Sequence, residues 1–473
     1  MIQVGQMQPT QMQPIVVGAF EQLATEVVDP VELSVVEGAL PASLSGVLLR
    51  NGPGRSSRGG VKYGHPFDGD GFLQRLELRG GVARYSARFV RTREFEAEEA
   101  AGRLLYRGFG TNRPGGFLPN ALRMRFKNTA NTSVVQHAGR TLALWEGGVP
   151  HRFDPDTLET LGRYTYDGAL EGRGLLQRLI GPELPFSAHP SVCPETGELW
   201  NFGTAYGARH RLLVHTVSPD GDLRTRALPM RDLPFVHDMA LTRRFAVFVL
   251  PATVFDVPAT LLGLRSPVDS IQMRDAPGRA LLVPRDGGAP IELAVPPGFV
   301  FHWSGGWEEG DNVVLEGIEY PGFPRLDGLG AVFDRPDASE LLARPVRLEL
   351  NPVTGAVRRT VLADLWMELP SQVGHGPDRV MVGVGAPSSC RHPFLSCVVR
   401  LGADGASVVH DLSPDLPGEP VVAGDHLLVP LYRHGAPAQV LIMTVESLAI
   451  VARVQLPHPV PLPLHGVWTA DAG

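Results

Sequence analysis

Four histidines of this sequence stand in settings where an imidazole needs an explanation. His189 closes an apolar stretch in "PFSAHPSV", His237 lies in "PFVHDMALT", His302 in "FVFHWSGGWEEG" and His465 in "PLPLHGVW". A buried imidazole needs partners for its ring nitrogens, and any one of these alone reads most simply as a hydrogen-bonded core residue. As a set they allow more. Neutral imidazoles are good ligands for divalent first-row metals, and four of them bring no charge to neutralise the ion. That suits Fe(II) with positions left open for small ligands better than a closed structural zinc site. Neither a zinc-finger spacing nor a His-Glu-x-x-His pair is present. Histidines so far apart can meet only where the fold brings distant segments to one point.

The elements that would have to do this are short strands. Glycine (54) and proline (43) recur throughout and break the chain into small segments. The repeating unit is an apolar strand, an Asp/Pro/Gly-rich turn and a second strand, as in "LLVHTVSPDGDLRTRAL", "VRLELNPVTGAVRRTVL" and "VVRLGADGASVVHDL". In such turns Asp bonds to its own backbone and Gly accepts positive φ. Many such hairpins without helical crossovers predict an all-β protein. A β-propeller accommodates them without long exposed edges, and converges strands distant in sequence on one axis. A pair of β-sandwiches is the rival arrangement. No linker divides the chain, so residues 15–473 are expected to form a single domain behind a disordered tail at 1–14.

Bulk properties narrow the function. With 43% hydrophobic residues among 473, the chain can bury a large core. The net charge of −7 is scattered, which argues against nucleic acid as a partner. Only Lys62 and Lys127 are lysines, so Schiff-base chemistry has few candidates. Three cysteines, Cys193, Cys390 and Cys397, share no ligand spacing and point to buried thiols in a reducing compartment. No glycine-rich nucleotide fingerprint appears, and no stretch is long and apolar enough to span a membrane. The first residues lack the pattern of a signal peptide. A cytoplasmic protein is expected.

The motifs that carry the histidines also carry a resemblance. "LLRNGPG" followed by "HPFDGDG", then "FKNTANTSVV", "LALWEGGVPHRFDPDTLETLG", "SAHPSVCPETGELWNFG", "FVHDMALT", "FVFHWSGGWEEG", "ELP", "GEPVV" and "LPLHGVW" run in the order of the carotenoid cleavage oxygenase family. This chain resembles that family over nearly its whole length, closest to the bacterial apocarotenoid 15,15'-oxygenases. The resemblance implies a seven-bladed β-propeller with a loop and helix dome over one face. It implies one axial Fe(II) per subunit, held by His189, His237, His302 and His465. Glu146, Glu368 and Glu419 match three glutamates behind the ligands; a carboxylate accepting the far ring N–H fixes tautomer and orientation. Thr132 matches a threonine beside an open iron position. Around His302 the usual second histidine and Asn-Ala pair are replaced by Trp303 and Gly305-Gly306, and Cys193 replaces a frequent Asp.

The implied reaction is cleavage of a C=C bond by O2 into two carbonyl products, with an apocarotenal or apocarotenol as substrate and retinal as a product. Trp145, Phe235 and Phe301 would line the tunnel for a hydrophobic polyene. Trp145 stands where stilbene-cleaving relatives carry a lysine. Residues 249–264, "VLPATVFDVPATLLGL", resemble the patch with which the family dips into a membrane. Three rivals remain at this stage: stilbene cleavage, isomerohydrolase activity on a retinyl ester, and a metal-free propeller that serves only for binding.

Overall fold

The structure is a computed structural model that describes residues 7–123, 125–172, 183–205, 210–231, 235–325 and 330–471. Alternating hydrophobicity makes strands, and most of these gather into seven antiparallel sheets, the blades of a propeller. Blade 1 holds Gly46–Pro53, Gly71–Arg79 and Val82–Phe89, and blade 2 runs from Ser133–His137 to Thr160–Arg163. Blade 3 runs from Ser191–Val192 to Leu223–Pro229, blade 4 from Ala240–Leu241 to Ile291–Val295, and blade 5 from Phe299–Glu309 to Val357–Val361. Blade 6 spans Leu365–Val373 to Ser407–Asp411, and blade 7 spans Leu416–Pro417 to Ile450–Gln455.

The ring closes twice. The last strand, His465–Ala470, pairs with Gly46–Pro53 and so becomes the inner strand of blade 1. The N-terminal strands Val27–Glu32 and Ser34–Gly38 add to the outer edges of blades 1 and 7. Closure from both ends covers sheet edges that would otherwise be open to other chains. The hydrophobic clusters lie between neighbouring blades, as in the packing of Phe202 and Phe248 from blades 3 and 4.

The tail expected at residues 1–14 is corrected in part. Pro9–Glu21 forms helix α1, while residues 1–6 lie outside the described residues. Pro9 occupies the first turn, where its missing N–H costs nothing. Met12, Ile15, Val16 and Ala19 then form one apolar face, buried against Val332 and Tyr432. That burial offsets the entropy of ordering the segment.

Several longer connections are bonded to one another as a cap. Their keystone is Arg107, which is 1% exposed. Its guanidinium donates to the carbonyls of Asn120, Arg123, Thr260 and Arg265, at 3.3, 3.1, 2.9 and 3.0 Å. One buried cation thus ties residues 117–123 to the short helix α3, Val257–Leu261; α2 is Arg93–Ala101. Between them these two loops expose Phe117, Leu118, Leu122, Val257, Leu262 and Leu264.

Candidate metal centre

Each blade delivers a residue to the histidine cluster, blade 2 through Glu146. His465 opens the inner strand of blade 1, and Thr132 immediately precedes that of blade 2. His189 and His237 stand just before the first strands of blades 3 and 4, and His302 lies within that of blade 5. Glu368 lies in the first strand of blade 6, and Glu419 precedes Val421–Ala423 of blade 7. Residues scattered over more than half of the chain therefore converge, which is what a ring of repeated hairpins does geometrically.

The four imidazoles meet there. The His189 ring centre is 4.4 Å from that of His237, 5.3 Å from His302 and 4.8 Å from His465. His302 and His465 are 5.0 Å apart. Ring nitrogens of His189, His237 and His302 lie within 4.8 Å of one another, an arrangement able to hold a metal ion. His302 donates from Nδ1 to Glu368 Oε2 at 2.7 Å, and His465 from Nδ1 to Glu419 Oε1 at 2.8 Å. A proton fixed on Nδ1 leaves Nε2 as the lone pair turned to the other rings. Glu146, from the turn after the second strand of blade 2, sits differently. Its Oε1 is 3.4 Å from His189 Nε2 and 3.8 Å from His237 Nδ1.

The outer partners differ from one glutamate to the next. Arg50, 3% exposed, donates to the Glu419 carbonyl at 2.9 Å, to Oε2 at 3.4 Å and to the Leu464 carbonyl at 3.3 Å. The guanidinium thereby clamps Glu419 to the residue preceding His465. Among the described residues Glu368 has no such cation; the Tyr320 hydroxyl and the Leu369 amide donate to it instead. Leu369 adopts φ +52°, a left-handed conformation that a branched residue avoids, just where the register to the next strand slips. Sequence reasoning missed Arg50 and Tyr320. Arg50 stood in the quoted "LLRNGPG" motif, and nothing local tied Tyr320 to Glu368.

Protonation follows the surroundings. Burial, reinforced by the neighbouring rings, holds His189 and His237 well below the ordinary histidine range. Burial works the same way on His302, but the Glu368 carboxylate outweighs it and raises the group. Burial opposes ionisation of Glu368 and Glu419 too; the histidines each faces bring both below the usual carboxylate range. Burial and the like charge of Asp238 push Glu146 well above it.

A cation fits this set. Nε2 of His189, Nε2 of His302 and Oε1 of Glu146 are buried without a hydrogen-bond partner, which is uncommon for polar atoms unless an ion satisfies them. Neutral imidazoles backed by carboxylates are the donor chemistry of a divalent transition metal. An aromatic wall adjoins them. Phe301 meets His237 edge-on at 4.8 Å, and Phe235 stacks on it at 6.4 Å. Phe109, Phe299 and Phe323 extend the wall through Phe235, at 6.1, 5.9 and 5.3 Å. Thr132 is buried, its hydroxyl donating to Asn131 at 3.2 Å. Trp145 folds back over Gly147 and Gly148, beside Glu146 in the chain.

Known proteins resemble the chain over most of its length. Residues 20–470 match the family described as retinal pigment epithelial membrane protein. The chain is 32% identical over 466 residues to an apocarotenoid-15,15'-oxygenase from Synechocystis, with 92% of each chain covered. It is 29% identical over 342 residues to isoeugenol monooxygenase from Pseudomonas nitroreducens, covering 71% of this chain and 68% of that protein. The solved structure of a cobalt-substituted Synechocystis ACO superposes with a TM-score of 0.87 at 28% identity, over 98% of this chain and 99% of that one.

Proposed function

Because this chain belongs to the retinal pigment epithelial membrane protein and carotenoid oxygenase family, we propose that it cleaves one C=C bond of an apocarotenoid with O2. The observation that carries the reading is the meeting of four histidines from four blades beside an aromatic wall. In this reading His189, His237, His302 and His465 hold one Fe(II) per chain, with O2 as co-substrate. The bound iron would supply the activation of O2 that breaks the double bond. One O2 added across one C=C leaves each fragment a carbonyl, so no nicotinamide or nucleotide is consumed. The likeness to the 15,15'-oxygenase favours central cleavage of an apocarotenal, with retinal as one product.

The chain's own groups position the parts. Glu368 and Glu419 keep a proton on Nδ1 of His302 and His465, so each ring presents Nε2. Glu146 places a carboxyl group beside His189 and His237. A polyene offers nothing to hydrogen-bond, so Phe235, Phe301 and their neighbours would hold it by apolar area and ring contact, while Thr132 and Trp145 shape the approach. A phenolic substrate is disfavoured because Trp145 stands where stilbene-cleaving relatives carry the lysine that would meet a phenolate. Lys62 pairs with Glu21 at 2.5 Å, and Lys127 is buried between Asp70 and Glu98 at 2.6 and 2.9 Å.

The test is anaerobic reconstitution with Fe(II), then exposure to an apocarotenal and O2 in detergent, with products identified by mass. Two carbonyl fragments are expected, and their masses name the bond. Bound iron without fragments would overturn the oxygenase reading.

A substrate that lives in lipid has to be collected there. No helix among the described residues is long and apolar enough to cross a membrane. The cap instead presents Leu118 at 75% exposure, Leu122 at 73%, Leu264 at 61% and Phe117 at 54%. A cluster of exposed large apolar side chains calls for a partner, and we assign it to a membrane surface facing the cytoplasm. The expected patch at 249–264 is thus only half of it: Leu250, Thr253, Ala259 and Thr260 are buried, and residues 117–122 supply the rest. Leu118→Glu combined with Leu264→Glu is expected to lower co-sedimentation with phospholipid vesicles several-fold and leave activity on detergent-dispersed substrate unchanged. Equal sedimentation of both proteins would remove the membrane role.

A further inference from the structure

A fourth carboxylate stands at the histidine cluster, and the three glutamates do not account for it. Asp238 directly follows His237. Its Oδ1 accepts the Met239 N–H and its Oδ2 accepts the Trp303 N–H, each at 2.7 Å. Trp303 directly follows His302, so the second bond joins the neighbours of two of the four histidines. It runs from blade 4 to blade 5, whose strands share no ladder pairing among the described residues.

The donor is available because of a local irregularity. Pairing between Phe299–Glu309 and Asn312–Tyr320 shifts register from Val300 to Trp303 and again from Trp303 to Gly305. Bulges of this kind take main-chain groups out of the ladder and re-aim a side chain. Here the N–H released at Trp303 is claimed by a carboxylate of the next blade. With both oxygens accepting main-chain N–H groups, the side chain is fixed in place.

We infer that Asp238 is a positioning residue of the metal centre: it locks the spacing of His237 and His302 by bridging their main chains. The inference rests on the metal reading above. Asparagine has nearly the same shape, but only its oxygen can accept, and its amide would face the other N–H donor. Serine removes the carboxylate altogether.

The experiment loads the full chain with Co(II) in the absence of substrate. It compares wild type, Asp238→Asn and Asp238→Ser by the visible d–d spectrum and by the rate at which a chelator strips the ion. Both variants are expected to release cobalt roughly 10–100-fold faster, the usual cost of losing an outer partner, with an altered spectrum and the wild-type far-UV signature. Wild-type spectra and release rates in both variants would overturn the role of Asp238 and leave the metal reading standing. Failure of the wild-type chain to bind cobalt would overturn both. If the asparagine variant does not fold, the serine variant carries the same comparison.

Discussion

Replacing His302 by alanine is expected to leave the chain without stoichiometric metal and to reduce turnover by more than the roughly 10–100-fold cost of removing an outer partner. The reason lies in how the ring is held. Glu368 accepts its Nδ1 proton at 2.7 Å, so Nε2 is the free nitrogen, and that atom is buried with no hydrogen-bond partner. Alanine deletes it and opens one side of a four-sided site. It also strips Glu368 of its main charge partner while Tyr320 and the Leu369 amide still hold the carboxylate in place. A buried charge whose partner is removed is destabilising, so a lower melting temperature should accompany the loss. Metal content by elemental analysis, turnover and thermal unfolding on the same preparation check this. Full metal occupancy in the variant would mean that three histidines suffice and that His302 is structural.

What the sequence disclosed and what it withheld divide along physical lines. The histidines were legible because each sits beside aromatic or proline-rich residues, and their wide separation demanded a fold that converges distant strands. Turn chemistry made the hairpins legible for the same local reason. What pairs with what was not local. Arg50 reaches Glu419 across 369 positions of chain, and Glu368 reaches His302 across 66. No periodicity encodes such contacts; here the family resemblance supplied the glutamates, and the arginine passed unnoticed inside a quoted motif. Asp238 was overlooked although it adjoins His237, because an acid next to a histidine reads as an ordinary surface charge until the Trp303 amide is seen to point at it.

Helix α1 is a different kind of miss. Residues 1–14 were expected to be a disordered tail, and the apolar spacing of Met12, Ile15, Val16 and Ala19 was the signal available against that reading. The membrane-facing patch divides similarly. Residues 249–264 were visible as an apolar, proline-interrupted run, but their partner loop at 117–122 joins them through the buried Arg107 guanidinium and through the Leu122 N–H, which donates to the Leu261 carbonyl at 2.7 Å. A single arginine that bonds four carbonyls on two loops cannot be read from either loop alone.

The second large effect is expected at a residue that touches no metal, substrate or histidine side chain. Gly317 pairs with Trp303 across the irregular part of blade 5. A Cβ added there would lie 2.7 Å from the His302 carbonyl oxygen, 2.7 Å from Trp303 Cε3 and 3.2 Å from Trp303 Cα. The backbone atoms among these cannot rotate away as a flexible side-chain tip could. Gly317→Val must therefore push the His302–Trp303 segment off its partner strand, with an overpacking cost of about 1–3 kcal/mol. The displaced segment carries both the His302 ring and the amide that Asp238 holds, so metal retention should fall by at least about tenfold, the low end of the loss seen when a ligand's support is removed. Gly322→Val is the control: a Cβ there meets nothing within 4 Å, and a change of no more than about 0.5 kcal/mol is expected. Chelator release rates and thermal unfolding of the two variants decide the matter. If Gly317→Val unfolds earlier yet releases metal at the wild-type rate, the main chain at His302 can shift without carrying the ring with it, and the bulge is not what aims the imidazole.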